Sequence, residues 1–178
     1  ASAIQTCSDD DTMNNFCQFI ADNSGKAIDL GAGNDALNRV GGSAAISGDI
    51  SGGAGTNTLV VDPGAGNSFV YGGAISNFNS AEIKSGTVKL SGASIYAGLT
   101  TVSGGALFAR NVSGSATGSG DVVVKSSGTL GGDGRFGGNV SLENGAMISP
   151  GDGIGLLKIG GNLSLADASR FLFDLGAN

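Results

Sequence analysis

Apolar residues recur along the chain in pairs spaced by two, and glycine, serine and asparagine fill the intervals between the pairs. Val122/Val124, Val140/Leu142 and Leu163/Leu165 show the pattern most clearly. Side chains two residues apart lie on one face of a β strand, so each pair points one way and Ser141 and Ser164 point the other. Thr58-Leu59-Val60-Val61, Ser68-Phe69-Val70-Tyr71, Glu82-Ile83-Lys84, Val88-Lys89-Leu90 and Leu107-Phe108 read as further short strands between polar, glycine-rich corners. The helical period of 3.6 is missing from this part of the chain, so the predicted elements are strands and tight turns.

The strands also repeat as units. Residues 137–142 read GGNVSL and residues 160–165 read GGNLSL, an offset of 23. A looser copy precedes them, with Gly120-Asp121-Val122-Val123-Val124, a polar turn and then Thr129-Leu130. No unit of this size can cover its own apolar face. Stacked units can, because each strand bonds to its equivalent in the next turn and each aliphatic rests on its counterpart. Glycine and asparagine supply the positive φ that sharp corners require. The reading is an all-β, right-handed parallel β-helix over residues 25–178, of about seven coils and ~35 Å long at ~4.8 Å per step. An antiparallel sandwich or barrel is the alternative, since periodicity does not set strand direction.

The two ends break the pattern. Met13, Phe16, Cys17 and Ile20 fall at helical spacing after a run of aspartates, which predicts a short helix or irregular segment within 9–24. Residues 1–24 are thus read as a cap over the first coil's edge. At the other end Arg170-Phe171-Leu172-Phe173-Asp174-Leu175 forms a strand with no cap after it, as expected of a piece of a longer protein.

Composition sharpens the picture. The 34 glycines among 178 residues would suit a flexible linker, but Leu, Ile, Val and Phe number 44, enough for a core. Of the net charge of −6, most sits in residues 1–35, where six aspartates face one lysine. The other 143 residues, with nine acids and eight bases, are nearly neutral. No basic stripe exists to neutralise phosphates, which argues against nucleic acid as a partner. No apolar run approaches the ~20 residues needed to cross a bilayer, so membrane insertion of this stretch is not expected. Ala1-Ser2-Ala3 looks like the region just after a processing site. The acidic, lysine-poor composition favours export, and there Cys7 and Cys17 are expected to form a disulfide; in a reducing compartment they would stay free.

Candidate chemistry is sparse. With no histidine, a Ser-His-Asp or Cys-His arrangement is excluded. Asp121, Asp133, Asp152 and Asp167 fall singly at turns, and Arg110, Arg135 and Arg170 are equally dispersed. Residues 31–37, GAGNDAL, approximate a calcium-binding nonapeptide, but residues 53–57 and 64–68 lack its Asp, so corner formation is the competing reading. Asp9, Asp10 and Asp11 could contact a partner or form a solvated acidic loop. Tyr71 and Tyr96 could anchor a partner, or belong to the core, where solenoid aromatics more often sit. Asn139 and Asn162, in equivalent positions, could stack as an internal hydrogen-bonded ladder. No catalytic, cofactor-binding or metal-binding residue is assigned.

The ordered phrases carry a family resemblance. Leu90-Ser91-Gly92-Ala93, Tyr96, Thr100-Thr101-Val102 and Gly104-Gly105-Ala106-Leu107 resemble the passenger-associated repeat of Gram-negative autotransporters, the type V secretion class. Residues 128–140, GTLGGDGRFGGNV, are similar to that family's GTLGGTGTVGGNV, with Arg135 and Phe136 departing from it. Ile148-Ser149-Pro150-Gly151 and Gly72-Gly73-Ala74-Ile75-Ser76-Asn77-Phe78 match further phrases, so the resemblance spans about 53–178. It implies a passenger exported through the periplasm and outer membrane by a C-terminal outer-membrane barrel that this chain does not include. Folding would follow outside the cell, seeded by the coils of 120–178, and a small Cys7–Cys17 loop suits such threading. The expected protein is non-enzymatic and extracellular or on the bacterial surface. Its expected partners are a host-cell receptor, matrix or other bacteria. The alternative is a released, soluble virulence ligand that engages a host-cell receptor and triggers signalling.

Overall fold

The computed structural model describes residues 18–20, 25–41 and 45–176. Twenty short strands follow one another without a helix among the described residues. β1 (Gln18–Ile20) comes first. One full coil holds β2 (Lys26–Asp29), β3 (Ala36–Val40) and β4 (Ala45–Ser47); the next holds β5 (Asp49–Ser51), β6 (Thr58–Asp62) and β7 (Ser68–Tyr71). β8 (Ile75–Ser76), β9 (Ser80–Ile83) and β10 (Thr87–Leu90) make a third. Two coils then have two regular strands each: β11 (Leu99–Val102) with β12 (Gly105–Ala109), and β13 (Val122–Val124) with β14 (Gly128–Gly132). β15 (Arg135–Phe136), β16 (Val140–Leu142) and β17 (Met147–Pro150) precede a last coil of β18 (Lys158–Ile159), β19 (Leu163–Leu165) and β20 (Arg170–Phe171).

Every pairing between these strands is parallel, which removes the antiparallel alternative. The chain is a β-solenoid with three faces. Its longest sheet runs β3-β6-β9-β11-β13-β16-β19, and a second runs β7-β10-β12-β14-β17-β20. The third face is formed by β2-β5-β8, then by irregular chain, then by β15-β18. Even the irregular part keeps the stacking: Ile95 N donates to Ile75 O and Ala116 N to Arg135 O. The seven strands of the long sheet span six inter-strand steps, about six turns of the solenoid. At ~4.8 Å per step this is about 29 Å.

Inside, like rests on like. Val61, Ile83, Val102, Val124 and Leu142 form one in-register column, and Phe69, Val88, Leu107, Leu130 and Ile148 form another. All ten are buried. Each column removes apolar surface from water that one coil would leave exposed. The pairs Val122/Val124 and Val140/Leu142 point inward as the alternation predicts. Leu163 and Leu165 occupy the same columns but are 40% and 43% exposed, because no described coil lies beyond them.

The repeated GG has a physical cause at the corner entering the long sheet. A Cβ on Gly138 would lie 2.3 Å from Gly120 O, and one on Gly120 would lie 1.9 Å from Gly98 O. A Cβ on Gly160 would lie 2.3 Å from Gly137 O. Backbones of successive coils meet there with no room for a side chain. Nearer the N-terminus the same corner carries amides instead, and Asn57 Oδ1 accepts from Asp35 N at 2.9 Å while Asn79 Oδ1 accepts from Asn57 N at 2.7 Å. The expected asparagine ladder exists, with Asn139 Oδ1 accepting from Asn162 N at 2.9 Å and Asp121 Oδ1 accepting from Asn139 N at 2.9 Å. It lies on the exposed surface rather than inside.

One expectation about the cap is corrected. Gln18–Ile20, within the segment predicted to be a helix or irregular, is a strand paired with β4, so stacking begins before residue 25. The open edge of β4 favours this, because it offers a ladder of backbone partners to any extended segment beside it.

Candidate functional site

The tyrosines singled out in the sequence do not stand on the surface. Tyr71 is 1% and Tyr96 3% exposed, which corrects their reading as partner anchors. The Tyr71 ring stacks on Phe69 at 5.7 Å between centroids, and its hydroxyl donates to Gly48 O at 2.6 Å. Tyr96 Oη lies 2.8 Å from Thr100 Oγ1, which satisfies two polar groups inside the solenoid. Burial pushes both phenols up, that of Tyr96 to about 12. Cys7, Cys17, Asp9, Asp10 and Asp11 lie outside the described residues. In the calcium-like phrase, Gly31 and Gly33 take φ of 88° and 140°, and Asn34 Oδ1 accepts from Thr56 N at 2.9 Å. These are corner contacts. Among the described residues no three His, Cys, Asp or Glu side chains converge.

Stacking gathers residues that are scattered in the sequence onto one side of the solenoid. On the outer face of the second sheet, Val70, Lys89, Phe108, Gly131 and Ser149 share one register line. The Phe108 ring covers Gly131, where a Cβ would meet Phe108 Cε1 at 2.8 Å. Lys89 Nζ lies 5.7 Å from that ring's centroid and 2.7 Å from Asp152 Oδ2. Asp152 also pairs with Arg110. The hydrogen bond from Lys89, reinforced by the charges of Lys89 and Arg110, holds the Asp152 carboxyl below the usual range. The result is a half-buried aromatic flanked by paired charges.

Arg110 ends this patch and begins a second feature. A cleft of about 430 Å³ opens at the next corner, lined by Arg110, Arg135, Lys158, Asp133 and the loop of residues 111–114. Arg135 and Lys158 are in register on β15 and β18. The buried Asn111 ties the loop to the solenoid, its Oδ1 accepting from Arg135 N at 3.0 Å and its Nδ2 donating to Ser113 O at 3.1 Å. Gly160 leaves room for the Arg135 guanidinium, since a Cβ there would lie 2.6 Å from it. Of the dispersed residues noted in the sequence, Arg110, Arg135 and Asp133 come together here. Asp121 serves the ladder, and Asp167 and Arg170 stand apart from the cleft. The sequence reading passed over Lys158, although the 23-residue offset that aligns the two GGN phrases also places it on Arg135.

The architecture defines the class first: a parallel β-solenoid presenting side chains on three long faces. Among known proteins the chain is similar to the adhesin BmaC autotransporter of Brucella suis biovar 1 (strain 1330), at 37% identity over 119 residues. The match covers 62% of this chain but only 3% of that protein, so the chain corresponds to a small part of the relative's length. No family model and no solved structure matches.

Proposed function

We infer that this chain is an adhesive stretch of an exported autotransporter passenger. The observation that carries the reading is its similarity to an autotransporter adhesin, in a chain that stacks as a β-solenoid. On this reading the solenoid is a rigid scaffold without catalytic work, on the bacterial surface or released from it. Attachment to host cells, matrix or neighbouring bacteria is made by outward side chains. A stacked solenoid suits the task, because register lines such as that of Lys89 and Phe108 present side chains at the inter-strand spacing. Export through an outer-membrane barrel and seeding of folding by the coils of 120–178 belong to the same proposal.

The test is display of the chain on a Gram-negative cell that lacks its own adhesins. Displayed cells are expected to attach to cultured host cells, to immobilised matrix or to each other above the level of cells displaying an unrelated solenoid. Attachment no better than that control would remove the reading.

A further inference from the structure

We propose that the cleft bounded by Arg110, Arg135, Lys158 and Asp133 binds an acidic saccharide, a sugar ring carrying a carboxylate or a sulfate. This deepens the adhesin reading and rests on it only for its biological purpose. The protein is net −6, yet three of its nine cationic side chains line one cleft. Arg135 and Lys158 sit side by side on neighbouring strands, and neither makes an ion pair among the described residues. Like charges on directly paired positions repel and destabilise a sheet. An anionic group seated between them would relieve that repulsion, and the Arg135 fork suits the paired oxygens of a carboxylate or sulfate.

The remaining lining narrows the ligand. Asp133 faces the same cleft and is not paired with any of the three cations. A carboxylate in an anion site repels phosphate and acidic peptide alike, but it is a strong acceptor for a hydroxyl hydrogen. A ligand carrying both an anionic group and hydroxyl donors satisfies Arg135, Lys158 and Asp133 together, and an acidic sugar is that combination. Fully exposed Val112 adds an apolar contact at the rim for the C–H face of a sugar ring. The volume, about 430 Å³, lies within the ~300–1,000 Å³ range of small-molecule sites.

The test is calorimetric or interferometric binding of the purified chain to a heparin-derived oligosaccharide, hyaluronan oligosaccharide, neutral dextran, polyglutamate and inorganic phosphate. Binding of either acidic saccharide, with dextran silent, is expected; hyaluronan or heparin as the better ligand assigns the carboxylate or the sulfate. Arg135→Gln and Lys158→Gln are each expected to weaken it by about tenfold. Lys84→Gln, on the surface outside the cleft, should leave it unchanged. Asp133→Ala gives the decisive sign: it should weaken binding although it removes a negative charge. No acidic-saccharide binding, equal loss in Lys84→Gln, tighter binding in Asp133→Ala, or equal affinity for polyglutamate or phosphate would each overturn the proposal. Cells that attach through a chain blind to these saccharides would remove this site and leave the adhesin reading standing.

Discussion

A glycine in this chain is most often a place where two coils touch. Gly138 illustrates it, since any side chain there runs into Gly120 O, a backbone atom that cannot move without shifting the coil below. Gly138→Ala is expected to cost about 1–3 kcal/mol in denaturant unfolding. Gly72→Ala, whose added methyl would meet only Ser91 Oγ at 3.5 Å, should stay within ~0.5 kcal/mol of the parent. Tyr96 offers a second test, by pH. Its folded value is raised to about 12, mainly by burial. Above the unfolded tyrosine value of ~10 the unfolded chain gives up a proton that the folded chain keeps. The stabilisation is therefore complete below pH ~10 and is lost as pH rises toward about 12. Thermal unfolding between pH 9 and pH 11 should show the decline, and Tyr96→Phe should make it shallower. The core is where solenoid aromatics more often sit, but no alternation marks this one as inward, because Ser94, Ile95 and Tyr96 lie outside any regular strand. There Ile95 is 75% exposed while the larger ring points in. Tyr71 was readable as core, since it lies two residues from Phe69 and both point inward.

At the scale of the strand, alternation decides tolerance. Val140 is fully buried between Val122 and Leu163, and its neighbour Ser141 points outward between Val123 and Ser164. Val140→Asp is expected to cost about 3–5 kcal/mol or to prevent folding, as an uncompensated buried charge does. Ser141→Asp should change stability by about 0.5 kcal/mol at most, with circular dichroism melts separating the two. Elements of this kind were the most legible part of the chain, since a period of two and a recurring offset are visible without coordinates. The same offset carries half of the cleft, because the step from Gly137 to Gly160 is also the step from Arg135 to Lys158. Its other half was hidden. Arg110 reaches the cleft from the end of β12, with no repeat of it at the 23-residue offset, and beside the cleft Lys89 meets Asp152 across 63 residues, which no local pattern encodes.

For the whole molecule the governing fact is direction. Parallel stacking lets identical phrases rest on one another, aligns outward residues into lines and gathers dispersed cations at one corner. All of these would dissolve if neighbouring strands ran in opposite directions. Scalar couplings across backbone hydrogen bonds, measured by NMR on the isotopically labelled chain, report direction atom by atom. The Val122 amide should couple to the Asn139 carbonyl, the Val140 amide to the Asn162 carbonyl and the Ala166 amide to the Leu142 carbonyl, whose donor–acceptor distances are 2.8, 2.8 and 3.0 Å. Reciprocal couplings between β16 and β17 across the turn that joins them, with these three missing, would mean an antiparallel hairpin and contradict the solenoid.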